Sequence, residues 1–322
     1  MIIKRIGIVT PGGDAPGMNA AIRAVVRTGI GYGYEMFGIY RGYAGLIDGE
    51  IEKLTSRSVG GIIEQGGTIF KSSRCKEIKT VDGQKKAVFN LAKLGISTLV
   101  VIGGDGSITA AGYLSKHGIN SICIPASIDN DVYGTDETIG FDTAIDTAIS
   151  AVDKIRDTAK SFQRIFIVEV MGREHGFLAL SIAIASGAEF VVIPEIKTDY
   201  TKLCADLQNK INCGKMSMII IFAEGAGNVQ EAAKLISKKL KFDVRVSSLG
   251  YIQRGGSPSA RSRILATEFG WYAIELIKKG IRNSVVVTRE CKLAHVPIRE
   301  VVRNCKKIDP RFINNLIQKV AI

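Results

Sequence analysis

Short, mostly apolar runs punctuate this chain, and longer stretches with helical apolar periodicity lie between them. The runs Arg5–Thr10, Thr98–Ile102, Ser121–Ile124, Ile165–Val170, Phe190–Ile193, Met218–Phe222, Val244–Leu249 and Ser284–Thr288 predict strands. The stretches Met18–Gly31, Gln84–Leu94, Ile108–Lys116, Thr143–Thr158, Phe177–Ala185 and Ala260–Lys279 predict helices. Strands alternating with helices imply mainly parallel sheets with helices on both faces, whose ligands bind beyond the C-terminal ends of the strands. No Pro-, Gly- or Ser-rich linker divides the chain. The glycine-rich turns nonetheless fall into two groups, one before Asp136 and one after Arg164, which points to two α/β lobes sharing a cleft. The most apolar window, Phe177 to Pro194, is broken by Ser186, Gly187 and Glu189, so it reads as a helix and a strand rather than a membrane span. The opening residues, Met1 to Val9, read as a first strand rather than a signal peptide.

Composition narrows the function classes. The net charge of +12 suits an acidic substrate and raises nucleic acid or a membrane surface as partners. The lysines, however, gather between Ala232 and Lys241, at Lys278-Lys279 and at Lys306-Lys307, interleaved with helical apolar positions, and read as solvated helix faces. Aromatic residues do not alternate with them as a base-stacking platform requires, so no nucleic acid or membrane partner is expected. The six cysteines are widely spaced, without a C-x-x-C pair, and only three histidines are present. Reduced thiols in a cytoplasmic protein follow, with neither a zinc site nor a disulfide framework.

Three kinds of turn could carry chemistry. Thr10-Pro11-Gly12-Gly13-Asp14-Ala15-Pro16-Gly17-Met18-Asn19 joins a predicted strand to a helix, where it serves either close backbone approach to a polyphosphate or a tight connection. Gly103-Gly104-Asp105-Gly106-Ser107 does the same with an aspartate inside it. A carboxylate beside phosphates calls for a divalent cation between them, and the competing role for Asp105 is to cap the next helix. Ser127-Ile128-Asp129-Asn130-Asp131 follows a strand; if extended, it turns both carboxylates to one side for base and metal-assisting roles, and otherwise it is an Asx-rich turn. Arg164, Met171-Gly172-Arg173, Arg245 and Arg254 stand at predicted strand edges, where planar guanidinium forks could converge on one anion. The combination points to phosphoryl transfer.

Taken together, Gly12–Asn19, Gly103–Ser107, Ile128–Asp131, Glu169–Arg173 and Ile252-Gln253-Arg254-Gly255-Gly256-Ser257-Pro258 resemble the bacterial-type 6-phosphofructokinases, in order and spacing, across nearly the whole chain. The resemblance implies two similar Rossmann-like αβα sandwich lobes with the active site in the cleft between them. Residues 1–138 and 252–304 would form a nucleotide lobe, and 139–251 and 305–322 a sugar-phosphate lobe. It further implies a glycolytic homotetramer whose active sites are shared between subunits. The reaction would move the γ-phosphate of ATP, with Mg²⁺, to the 1-hydroxyl of fructose 6-phosphate.

Residue by residue, Asp129 matches the general base, with Ser127, Asp131 and Arg173 as its catalytic companions, and Asp105 matches the Mg²⁺-linked aspartate. Gly13, Arg74, Cys75, Gly104, Gly106 and Ser107 match positions around the nucleotide. Met171, Gly172, Arg173, Glu224, Tyr251 and Arg254 match sugar-phosphate positions, and Arg164 and Arg245 those reaching in from a neighbouring subunit. Arg23, Arg27, Arg156 and Lys215 match an effector site for ADP or phosphoenolpyruvate. Tyr251 replaces the usual histidine, Ser56 replaces an effector arginine, and Cys213-Gly214-Lys215-Met216 replaces a more basic string, so blunted allosteric control is expected. Glycine at 106 and alanine at 126, where pyrophosphate users carry aspartate and lysine, favour ATP. The alternatives are a pyrophosphate-dependent enzyme and a non-catalytic regulatory paralogue; a dinucleotide oxidoreductase is remote, since no G-x-G-x-x-G turn follows the first strand.

Overall fold

The computed structural model describes residues 4–309. They divide into two compact units. One runs up to Thr143 and resumes over Arg254–Lys306; the other holds Ala144–Gln253. These limits differ by a few residues from the divisions at 138 and 251 read from the sequence, because one continuous helix leaves the first unit at Thr143. From residue 310 onward, the expected segment 305–322 lies outside the described residues.

The first unit opens with β1 (Arg5–Val9), α1 (Met18–Gly31), β2 (Glu35–Ile39), α2 (Gly42–Asp48), β3 (Ile51–Leu54), α3 (Val81–Lys93), β4 (Thr98–Gly103), α4 (Asp105–Ser115) and β5 (Asn120–Pro125). Helix α5 (Phe141–Phe162) leads into the second unit. That unit holds β6 (Ile165–Val170), α6 (Phe177–Ser186), β7 (Phe190–Val192), α7 (Tyr200–Asn212), β8 (Met218–Ala223), α8 (Val229–Leu240) and β9 (Val244–Ser248). The chain then rejoins the first unit with α9 (Ala260–Lys278), β10 (Ser284–Arg289), β11 (Lys292–Pro297) and α10 (Ile298–Arg303).

The sheet of the first unit has the order β11-β10-β5-β4-β1-β2-β3. Its five inner strands are parallel, and β3 and β11 close the margins antiparallel. From β1 the chain steps outward to β2 and later returns to the other side of β1 for β4. Sheet growth therefore reverses between β1 and β4, and the strand ends there open a crevice that adjoining turns do not fill. Strands β4 and β5 are buried almost throughout, which is why they read as unbroken apolar runs. One face packs Val9, Leu99, Val101 and Cys123 against Leu91, Ala111 and Leu114 of α3 and α4. The second unit has four parallel strands in the order β7-β8-β6-β9, with Ile167, Ile220 and Phe222 packed on Leu207 and Ile236.

All six cysteines are free thiols, and burial raises the pKa of Cys123 well above the ordinary range. Among the described residues no helix is long and apolar enough to cross a membrane. The window over Phe177 to Pro194 is α6 and β7, as its broken pattern predicts.

Candidate active site

The reversal between β1 and β4 brings together two of the sequence-selected turns. Helix α4 starts at Asp105 itself, three residues before the helical pattern predicted. Gly104 is its N-cap residue and has no side chain to offer, so Asp105 does not cap the helix; it is an exposed carboxylate in the first turn. Gly103 is fixed by packing: a Cβ there would lie 2.6 Å from Ser107 Oγ and 2.9 Å from the Pro11 carbonyl oxygen. The hydroxyl of Ser107 donates to that Pro11 carbonyl at 2.8 Å, and the buried Tyr43 hydroxyl donates to the Ser107 carbonyl at 2.8 Å. Burial holds the Tyr43 phenol protonated by raising its pKa well above the usual value. Ser72 Oγ donates to the Gly12 carbonyl at 2.6 Å. Gly106 differs from all of these, because a Cβ there would meet no atom within 4 Å. The first turn of α4 thus has open space beside Gly106, to which the helix N-terminus adds a partial positive charge.

The second turn abuts the first. In the β4–β5 register Gly103 pairs with Pro125, and the Ala126 N–H donates to the Gly103 carbonyl at 3.1 Å. A Cβ on Gly104 would lie 3.6 Å from Ser127 Cβ, in ordinary contact. The stretch beyond is not extended, which removes the expectation that Asp129 and Asp131 share a side through strand alternation. Residues 128–129 form a turn, and Asn130 adopts φ 51°. Ser127 Oγ donates to Asp131 Oδ1 at 3.1 Å and accepts from the Asp129 N–H at 3.2 Å, so the serine organises the turn that presents both carboxylates. The loop to Ile139 straps this turn in place. Thr138 Oγ1 donates to the Ser127 carbonyl at 2.5 Å, and Asn130 Nδ2 donates to the Asp136 carbonyl at 3.1 Å. Asp129 is 4% exposed. Burial raises the Glu137 carboxyl pKa in spite of Arg261 alongside. Lys306 donates to the Asp136 carbonyl at 3.0 Å, and burial brings its pKa down to about 8 against the pull of Asp136, Asp131 and Glu137.

In the second unit, Met171, Gly172 and Arg173 follow β6, and Glu224 follows its neighbour β8. The Arg173 N–H donates to Glu224 Oε1 at 2.8 Å, with Arg173 at φ 51° and Gly172 at φ 137°. A Cβ at Gly225 would lie 1.9 Å from the Arg173 carbonyl oxygen, so this close approach requires glycine. Arg164 and Arg245 lie elsewhere, which corrects the expectation that all these arginines occupy equivalent strand edges. Arg164 precedes β6, and Arg245 is the second residue of β9, paired with Phe166. Both are towards the N-terminal edge of the sheet, about 13–20 Å along the strand direction from Val170, after which Arg173 follows. There they share one carboxylate: Asp243 accepts from Arg164 Nε at 2.5 Å and from Arg245 Nε at 3.1 Å. The trio keeps a net positive charge.

Arg254 donates to Asp14 Oδ1 at 2.5 Å, which ties it to the first turn. Tyr251 is 76% exposed, and Arg74 is exposed beside the half-buried Cys75. Among the effector candidates, Arg23 and Arg27 lie on α1. Arg156 and Lys215 meet in the second unit around the buried Glu189, at 3.9 and 2.8 Å. The sequence shows Glu189 only as a break in an apolar window and Asp14 only as one residue of the first turn, and it gives no sign of Asp243. The signal for Glu189 was available: an acid inside so apolar a run must be partnered to be buried. Among the described residues no three His, Cys, Asp or Glu side chains cluster as a metal site. The single exposed carboxylate of Asp105 fits an ion held mainly by a ligand's own oxygens.

The family model described as phosphofructokinase matches residues 5–277. The ATP-dependent 6-phosphofructokinase of Bacillus velezensis is 50% identical over 310 residues, 96% of this chain and 97% of that protein. The protein of the same name from Bacillus subtilis is 52% identical over 300 residues, covering 93% and 94%. The crystal structure of Pichia pastoris phosphofructokinase in the T-state superposes with a TM-score of 0.89 at 37% identity. That match takes in 94% of this chain, which spans 36% of the yeast one.

Proposed function

Because this chain belongs to the phosphofructokinase family, we propose that it is an ATP-dependent 6-phosphofructokinase, moving the ATP γ-phosphate to the 1-hydroxyl of fructose 6-phosphate in glycolysis. The observation that carries this reading is the contact between the two turns: the open first turn of α4 lies directly against the Ser127 turn that bears Asp129 and Asp131. A phosphate donor on the first meets a base on the second.

The first unit serves the nucleotide. Gly104, Asp105, Gly106 and Ser107 at the start of α4, with Gly13, Arg74 and Cys75, hold the nucleotide phosphates, and the vacant space over Gly106 admits a nucleotide where a side chain would crowd it. Asp105 would hold Mg²⁺, whose charge would offset that of the transferring phosphoryl group. Asp129 takes the proton of the sugar hydroxyl, its place fixed by the Ser127 turn and supported by Asp131. The second unit serves the sugar phosphate through Met171, Gly172, Glu224 and Tyr251, with Arg173 offsetting charge on the phosphoryl group; Arg254 binds the 6-phosphate. Arg164 and Arg245 act on the site of a neighbouring copy in a homotetramer, a role that suits their place on the far edge of the sheet. Positioning and charge neutralisation then do most of the catalytic work. Arg23 and Arg27 in the first unit, and Arg156 and Lys215 in the second, where Glu189 tempers their charge, serve effector binding. The enzyme works in the cytoplasm.

Initial rates of the purified protein with fructose 6-phosphate, first with ATP and then with pyrophosphate, test the proposal. Turnover with ATP is expected, and Asp129→Ser lowers it by roughly 10²–10⁴-fold with the melting temperature retained. Turnover with pyrophosphate alone overturns the donor assignment, and an undiminished Asp129→Ser variant overturns the base.

A further inference from the structure

A second concavity lies in the first unit, where the C-terminal half of α4 faces α10. It encloses about 630 Å³, a volume typical of small-molecule sites. Its lining includes Lys116, Arg282, Arg299 and Arg303, and among the described residues no carboxylate lines it. None of these four cations forms an ion pair among the described residues. Arg282 donates only a long bond to the Gly118 carbonyl, and Lys116 lies over the Tyr113 ring with Nζ 5.8 Å from its centroid. The floor is apolar, made by Gly112, Tyr113, Pro297, Ile298 and Val302; Val302 leaves 41% of its surface in water. The two helices meet closely here, since a Cβ on Gly112 would stand 3.4 Å from Ile298 Cγ2.

An apolar floor under a rim of four unneutralised cations suits one kind of occupant. Three guanidinium forks match phosphate oxygens, and the floor gains from covering a body that water solvates poorly. We propose that this hollow binds an amphipathic organic phosphate, with its apolar body on Ile298 and Val302 and its phosphate among Lys116, Arg282, Arg299 and Arg303. The site is separate from the Asp105–Ser107 turn, which occupies the opposite end of α4.

Pyridoxal 5′-phosphate is the probe, because its aldehyde forms an imine with a neighbouring lysine amine that borohydride reduces to a stable amine. Peptide mapping should find Lys116 labelled at least tenfold faster than the exposed Lys202 or Lys292, and 4-nitrophenyl phosphate should protect it at a tenth of the concentration of inorganic phosphate that does so. Arg299→Ala with Arg303→Ala should abolish the preference for Lys116 while turnover stays unchanged, and the paired Lys replacements should retain it. Labelling of Lys116 no faster than of Lys202, equal labelling by pyridoxal lacking the phosphate, or a preference that survives the double Ala variant overturns the proposal. Equal protection by inorganic phosphate also overturns it, since that result describes a bare anion patch.

Discussion

At Gly106 neither packing nor dihedral angle demands glycine, since a side chain there would meet nothing in the protein. On the proposed function, the demand comes from the nucleotide. Gly106→Asp should fold with a melting temperature equal to or slightly above the parent's, because an acid in the first turn of a helix favours the macrodipole. The same carboxylate should repel nucleotide phosphates and raise the KM for ATP more than tenfold, a split that initial rates and thermal melting measure together. At Gly103 the sequence showed a glycine but not its reason, which lies in Ser107 and Pro11 crowding the space. The ion-pair partners were less legible still. Asp243 and Glu189 meet Arg164 and Lys215 only through sheet pairing and tertiary packing, and composition carries no trace of such pairs.

Among the elements, buried parallel strands were legible because burial on both faces forces continuous apolar runs. Strands β3 and β11 were not, being marginal strands that carry Glu52, Lys53, Lys292 and His295. Strand β2 runs unbroken through Gly38, where a Cβ would lie 2.5 Å from the Phe70 ring. The loop from 126 to 139 showed its residues in sequence but not its straps, since the Thr138 hydroxyl and the Asp136 carbonyl meet their partners only once the loop is folded. Lys306 presses on that loop, and its titration should be measurable. A lysine titrates near 10.5 when unfolded and at about 8 here. Between those values the unfolded chain binds more protons, so the native form gains stability as pH rises; below about 8 both states are protonated and the difference is flat. Urea unfolding at pH 7 and pH 9.5 should therefore show Lys306→Met losing ground to the parent by on the order of 1–3 kcal/mol at the higher pH. A pH-independent difference would mean that the ammonium is solvated.

For the whole molecule, strand–helix alternation sufficed to place parallel sheets, because crossover connections leave few other arrangements. It could not tell which end of a strand an arginine occupies. Arg164 and Arg245 read like Arg173 along the chain, yet they cap the opposite rim of the second sheet. That placement has a genetic consequence. If those two arginines act only in a neighbour's site, a chain lacking them still owns a sound Asp129, and an Asp129→Ser chain can lend it sound arginines. Coexpressing these two inactive proteins should restore up to about a quarter of parental turnover, the share of random pairings that unite both intact halves. Were each polypeptide self-sufficient, the mixture would stay as dead as its ingredients.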